Sequence, residues 1–440
     1  MKSGSNFRFI HAADIHLGSF LNYKGNMPKK IQRICKNAVY KAFEKICTTA
    51  INSEVDFMII SGDIYDVEFP SVKANKFFIE QCKRLNENNI NVYIIYGNHD
   101  VGQYRKELFD LPQNVFIFGS EEVQKVEILK ENNIVAKIIG QSYKYKRMGN
   151  KVLENYFEDD DNTFNIAVLH TSLQSSNNNY IPCTVNELAS KENIDYWALG
   201  HVHKYSIINK GRPFIAFPGI PQGRDMGEEG IGGCLLVEVN NNEIREIKFV
   251  STSSVVYKKV EITIDDKLNT LENISDLEEI LLKKAEEIID NKSSAEDDVK
   301  GYIIQWSVTG RTKLYKQINN LSEEDIEVLI DGININFNNS IPFLWTTSIL
   351  FRVMDDIPEL NNLSEKNKTF RELKNIVNEL LEDEEYKSEI IKNMGNVWSE
   401  KLASNNNRYE KFIMNDEVFE SILKQAESLI IQNILENKQQ

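Results

Sequence analysis

Five of the six histidines in this 440-residue chain, His16, His99, His170, His201 and His203, lie in short segments rich in Asp, Asn and Gly. The segments read Asp14-Ile15-His16, Gly62-Asp63-Ile64-Tyr65-Asp66, Gly97-Asn98-His99-Asp100, the isolated His170, and Gly200-His201-Val202-His203. Divalent first-row metals accept imidazole nitrogen together with carboxylate and amide oxygen, whereas a structural zinc favours cysteine. None of the five cysteines lies in these segments. The chemistry expected of such a set is metal-assisted hydrolysis. For any single histidine, a satisfied polar group in a loop is the better reading. Residue type, order and context together favour a metal site. The remaining histidine, His11, sits within an apolar run and is expected to be a packing or supporting residue.

Each segment follows a short, apolar, partly β-branched run. Phe9 to Ala12, Val55 to Ile60, Val92 to Tyr96, Ile166 to Leu169 and Tyr196 to Leu199 all have the composition of buried strands. The polar residues therefore stand at strand ends. In open α/β sheets, groups just beyond the carboxyl ends of neighbouring strands converge on one crevice, so five separated segments can build one site.

The motifs Asp-x-His, Gly-Asp-x-x-Asp, Gly-Asn-His-Asp and Gly-His-x-His resemble those of the calcineurin-like metallophosphoesterases and cover roughly the first 200 residues. The opening His11-Ala12-Ala13-Asp14-Ile15-His16-Leu17-Gly18 resembles the start of the SbcD-type DNA repair exonucleases. The stretch Phe217-Pro218-Gly219-Ile220-Pro221-Gln222-Gly223-Arg224 is similar to the YhaO-like branch of that group. A phosphoprotein phosphatase would carry Asp-Arg-Gly after its second motif and Gly-Asn-His-Glu as its third; here those places hold Asp66-Val67-Glu68 and Asp100.

The resemblance implies an α/β fold, a four-layer αββα sandwich, with two divalent metal ions, manganese being expected. One ion would be held by Asp14, His16, Asp63 and His203, the other by Asp63, Asn98, His170 and His201, with Asp63 between them. His99 would face the substrate and assist as an acid, with Asp100 orienting it. The implied activity is a phosphodiesterase acting on DNA, working with an SbcC-like ATPase and forming a homodimer. Hydrolysis of a small nucleotide or other phosphoester is the alternative, as is a regulatory role within an SbcC-like complex. The chain has no Gly-x-x-x-x-Gly-Lys-Ser/Thr loop, so any ATP dependence would come from a partner. Many of the repair nucleases place a histidine three residues after the bridging aspartate, where this chain has Asp66. That departure puts processive exonuclease digestion in question and leaves metal binding untouched.

A length of 440 residues and 41% hydrophobic content predict two or three domains with a substantial core. The expected division is a phosphoesterase domain over 1–255, an α/β capping domain over 256–337 and an acidic, mainly helical region over 338–440. Gly232 to Val239 and Ile244 to Val250 alternate like a hairpin closing the second sheet. Val256 to Ile264, Ile274 to Asn291 and Tyr302 to Thr309 read as strand, helix and strand, and Thr369 to Leu381 and Asp416 to Asn437 as amphipathic helices. The apolar face of the last helix, including Phe419, Ile422, Leu429 and Ile430, is expected to pack on this chain; the sharper alternative is a dock for a partner.

The formal charge of −15 is uneven: −1 over residues 1–255 and −14 over the remainder. An acidic chain repels a polyanion unless local charge is arranged otherwise. Candidate substrate contacts are Tyr143, Lys144, Lys146 and Arg147, from a basic run interleaved with aromatics, and Arg224; the bland reading of the run is a solvated loop. An odd number of irregularly spaced cysteines argues against a disulfide framework. No run is apolar enough for a membrane span or signal peptide, and a cytoplasmic location is expected.

Overall fold

The apolar runs form strands whose alternate residues serve two different cores. In the computed structural model, which describes residues 6–66, 71–101, 110–156, 163–173, 180–191, 193–265, 271–356, 360–382 and 416–436, β1 (Phe7–Ala12), β2 (Phe57–Ser61) and β3 (Asn91–Ile95) are almost wholly buried. They pair in parallel, Phe9 opposite Phe57 and Phe57 opposite Asn91. The crossovers are helices α1 (Lys29–Asn52) and α2 (Val72–Glu87). Parallel pairing needs connections of this length, and helices over the sheet bury its face. Ile10, Met58, Ile60, Val92 and Ile94 accordingly meet Val39, Phe43, Ile46 and Phe78 in one core.

The opposite face of the same strands meets a second sheet. Phe7, Phe9, Phe57 and Ile59 pack against Phe164, Ile166, Val168 and Tyr196, with the Phe9 and Phe57 rings stacked at 5.2 Å. That second sheet has six strands. It runs β5 (Gln124–Lys130), β6 (Asn133–Gly140), β7 (Phe164–His170), β8 (Tyr196–Gly200), β10 (Phe214–Phe217) and β9 (Ser206–Asn209), with β6, β7, β8 and β10 parallel. Its outer face carries Leu169, Trp197 and Leu199 under a thin cover that includes Tyr156 and the short helix α3 (Val185–Ala189). The four-layer αββα sandwich is the observed fold.

The hairpin β11 (Gly233–Asn240) and β12 (Glu243–Ser251) corrects an expectation from sequence. It extends the first sheet, with β11 antiparallel to β1, and does not close the second. Leu235, Val237 and Val239 face the inter-sheet core, so their alternation completes the face begun by Phe7 and Phe9. The other edge of the first sheet is β4 (Val115–Ile117).

The chain divides into two units. The first comprises residues 1–260, 280–306 and 327–349; the second comprises 261–279, 307–326 and 350–440. Strands β13 (Val255–Asp265), β14 (Gly301–Arg311) and β15 (Phe343–Met354) form a three-stranded sheet. Strand β15 is a second correction, because the chain beyond Asn338 was expected to be helical. The run Phe343–Met354 is rich in β-branched and aromatic residues, and its first four residues are buried. Helices α4 (Ile274–Asp290), α5 (Tyr315–Asn319) and α6 (Glu323–Phe337) lie between these strands in sequence.

In the second unit, α7 (Leu360–Lys366), α8 (Lys368–Glu382) and α9 (Asp416–Glu436) share a small apolar cluster of Leu360, Phe370 and Ile431. Leu429 and Ile430 remain exposed, at 53% and 44%. All five cysteines are free and buried. Among the described residues no helix is long and apolar enough to cross a membrane.

Candidate metal centre

The loops that follow β1 and β2 are zipped together by backbone hydrogen bonds. Asp14 N donates to Gly62 O at 3.0 Å, His16 N to Asp63 O at 3.0 Å and Leu17 N to Ile64 O at 2.7 Å. The second sheet is tied to the same loops. His201 N donates to both carboxylate oxygens of Asp14, at 3.1 and 3.0 Å, and Ser61 Oγ donates to Ala198 O at 3.0 Å. Asp14, His16, Asp63 and His201 all adopt left-handed backbone conformations, with φ of 52°, 49°, 52° and 97°. Each such residue costs about 1–3 kcal/mol and persists where its surroundings over-determine it. Four residues that project donors into the crevice therefore carry such strain. Close approach also demands glycine: a Cβ on Gly97 would strike the Asp63 carboxylate, and one on Gly200 the Ser61 carbonyl.

Two donor groups result. Ligand atoms of Asp14, His16 and His203 lie within 4.8 Å of one another, as do those of Asp63, His170 and His201. In the first group the Nε2 atoms of His16 and His203 face each other at 3.3 Å. In the second, His170 Nε2 lies 3.3 Å from Asp63 Oδ2 and 2.9 Å from Asn98 Oδ1. The ring of His170 is aimed by Nδ1, which donates to Ser61 O at 2.9 Å. An imidazole held this way presents its other nitrogen to a metal. Nitrogen and oxygen donors crowded at these distances, with His16 Nδ1 buried and lacking a hydrogen-bond partner among the described residues, fit a pair of divalent cations.

Electrostatics agree with that fit. Burial raises the Asp14 carboxyl to about 6. Burial would raise Asp63 too, but the His170 charge beside it holds its carboxyl well below the usual range. Burial works against a charged His170, and Asp63 overcomes it, raising the imidazole to about 9. His201 is driven down to about 3 by burial and by the charge on His170. Without metal, Asp63 and His170 thus form a buried ion pair whose proton occupies a ligand atom. Metal binding at pH 7.5 is expected to release about one proton, and affinity to weaken as pH falls below about 9. Titration calorimetry in buffers of different ionisation enthalpy checks this; a buffer-independent enthalpy would contradict it.

Residues 7–205 match the family model described as calcineurin-like phosphoesterase. The chain carries a calcineurin-like phosphoesterase domain. It is similar to the uncharacterized metallophosphoesterase YhaO of Bacillus subtilis, 33% identical over 60% of this chain and 65% of that protein. It is 25% identical to the DNA double-strand break repair protein Mre11 of Methanococcus maripaludis, over 62% of this chain and 74% of the relative. It is also 25% identical to a component of the nuclease SbcCD of Staphylococcus epidermidis, over 55% of this chain and 69% of the relative.

Within the phosphoesterase domain, Asp14, His16, Asp63, Asn98, His170, His201 and His203 lie together at the crevice. His99 stands beside them, its ring 5.2 Å from that of His16 and edge-on to it. Its backbone N–H holds Asp63 Oδ1 at 2.9 Å, and its buried Nδ1 has no hydrogen-bond partner among the described residues. Asp100 does not orient this ring. Its carboxylate oxygens accept from Tyr65 N at 3.0 Å and Gly97 N at 2.9 Å, stapling the second motif to the third. His11 is a satisfied core residue between the sheets, bonded to Tyr196 Oη at 3.0 Å and Leu199 O at 3.1 Å, and burial lowers it to about 3.

The basic run divides. Tyr143 is buried and donates to His170 O at 3.0 Å, so it supports a candidate ligand and offers no exposed face for a base. Lys144, Lys146 and Arg147 are exposed, with Lys144 paired to Glu121 at 2.7 Å. Arg224 is part-buried in a network that sequence reasoning missed. His203 Nδ1 lies 2.6 Å from Glu228 Oε1. Arg224 donates to Glu228 through Nη2 at 2.8 Å and through Nε at 3.2 Å, and its Nη1 reaches Asp66 Oδ2 at 3.0 Å. The side chains of Arg224, Asp66 and Glu228 are only 7–12% exposed. Glu228 therefore aims a candidate ligand from behind, and Arg224 anchors Glu228 to Asp66. The only signal was an acid four residues after Arg224, which is commonplace in loops.

Proposed function

We propose that this chain is a metal-dependent phosphodiesterase acting on DNA, with manganese as the working ion. The observation that carries it is the pair of donor groups, with Asp63 in the field of both His16 and His170 and His99 at their edge. DNA as substrate is supported by the relatives named as the repair protein Mre11 and the nuclease SbcCD.

Asp14, His16, Asp63 and His203 would hold one ion, and Asp63, Asn98, His170 and His201 the other. Two bound divalent ions polarise a phosphoryl oxygen and lower the pKa of an attacking water. The chain's own residues supply position and protons. Ser61 and Tyr143 fix His170, Glu228 fixes His203, and the imidazole of His99 protonates or stabilises the departing oxygen. Asp100 serves this scheme as a staple between loops. Exposed Lys144, Lys146 and Arg147 remain candidates for backbone contacts. An SbcC-like ATPase partner belongs to the same proposal, on the name of the SbcCD relative, as does a homodimer.

A second reading, hydrolysis of a small nucleotide diester, is favoured by the net charge of −15. The test is Mn²⁺-dependent cleavage of end-labelled single- and double-stranded DNA beside a small chromogenic phosphodiester, with His99→Ala protein as control. DNA cleavage lost in the variant supports the proposal. Turnover of the small diester with DNA intact favours the second reading.

A further inference from the structure

A groove of about 930 Å³ in the first unit runs beside α1. Its walls carry six cations, Lys29, Lys30, Arg33, Lys41, Lys45 and Lys300, against two carboxylates, Glu44 and Asp298. In a chain of charge −15 this is a marked local reversal. Both carboxylates are already engaged, Glu44 by Lys41 and Asp298 by Lys45, each at 2.6 Å. Lys29, Lys30 and Arg33 are exposed and make no ion pair among the described residues.

The arrangement along the helix is regular. Lys29, Arg33, Asn37, Lys41 and Lys45 recur every four residues, and all line the groove. At 1.5 Å rise per residue they form a row of N–H donors about 6 Å apart and about 24 Å long. Like charges four residues apart on a helix repel. Glu44 and Asp298 relieve the pair Lys41 and Lys45, but nothing described relieves Lys29 and Arg33. A linear polyanion lying along the row would relieve it throughout. Ile34 and exposed Ile341 add apolar surface to the same groove.

We propose that this groove, separate from the metal centre, binds the phosphate backbone of single-stranded DNA. The proposal rests on DNA being the substrate of the phosphoesterase domain, which supplies a polyanion suited to the row. Each backbone phosphate neutralised on a single strand contributes about 0.7 to the slope of log affinity against log salt.

The experiment is fluorescence anisotropy of a labelled oligothymidylate with the full chain in EDTA, where no cleavage occurs. The variant Lys29→Gln/Lys30→Gln/Arg33→Gln is expected to have a slope shallower by about 2, and to lose about twentyfold less affinity than the parent between about 50 and 200 mM salt. Lys300→Gln, on the opposite wall, is expected to shallow it by about 0.7. Lys36→Gln, exposed on the same helix but outside the groove, is expected to leave it unchanged. Turnover of a small diester with Mn²⁺ should be the same in every variant. An unchanged slope in both groove variants overturns the proposal, as does parent protein that binds an oligoglutamate peptide in this groove but no oligonucleotide. If the groove variants shift binding while Mn²⁺-loaded parent leaves DNA uncut, the groove stands and the nuclease reading falls.

Discussion

Replacing His99 by alanine is expected to lower kcat on a phosphodiester by about 10²- to 10⁴-fold, the range for losing a positioned acid or base, with both metal ions still bound. The distinction rests on which part of His99 does what. Its backbone N–H holds the Asp63 carboxylate at 2.9 Å and survives the substitution. Its ring contributes no described hydrogen bond through Nδ1 and touches the first donor group only edge-on, against His16. Removing the ring should therefore spare the ligands and remove the proton donor. Stopped-assay kinetics paired with a Mn²⁺ titration followed by electron paramagnetic resonance would separate the two roles. If occupancy falls in parallel with turnover, His99 is a metal-site residue and the acid role is lost.

Converting Asp66 to histidine, the residue many repair nucleases place there, is expected to damage the site and not to confer exonuclease activity. Asp66 anchors Arg224, and Arg224 holds Glu228 against His203. Taking this carboxylate from the guanidinium removes one charge-assisted hydrogen bond worth about 1.5–3 kcal/mol, with Glu228 left as the remaining partner of Arg224. Loosening Glu228 in turn frees the His203 ring, and losing such a supporting contact typically costs 10–100-fold in metal affinity. Asp66→His protein should therefore melt at lower temperature and bind Mn²⁺ about 10–100-fold more weakly. Glu228→Gln should reproduce the affinity loss with less destabilisation, since a neutral acceptor for His203 remains. Full Mn²⁺ affinity together with processive digestion of DNA ends by Asp66→His protein would refute this account.

The donors were legible in the sequence because each motif combines a local apolar run, which must become a buried strand, with polar residues at its end, where a parallel sheet places ligands. The packing role of His11 was legible for the same reason, from its place inside such a run. The position of the hairpin after Gly232 was not, since alternation reveals which face of a strand is apolar but not which sheet that face completes. The strand over Phe343–Met354 was overlooked because it sits between helical segments in an acidic region, where composition masked a β-branched run.

The sequence by itself determined the buried strands, the polar donors at their ends and their order along the chain, because these follow from short-range patterns of side-chain type; the αββα fold class came from the resemblance its motifs carry. Only the tertiary structure decided how the donors are held. Glu228 meets His203 across 25 residues, and Arg224 meets Asp66 across 158. Tyr143 turns inward to His170, and Asp100 staples two loops instead of aiming a ring. Such contacts depend on where separate strands end in space, and on buried charges finding partners once water is excluded, neither of which is encoded in local spacing.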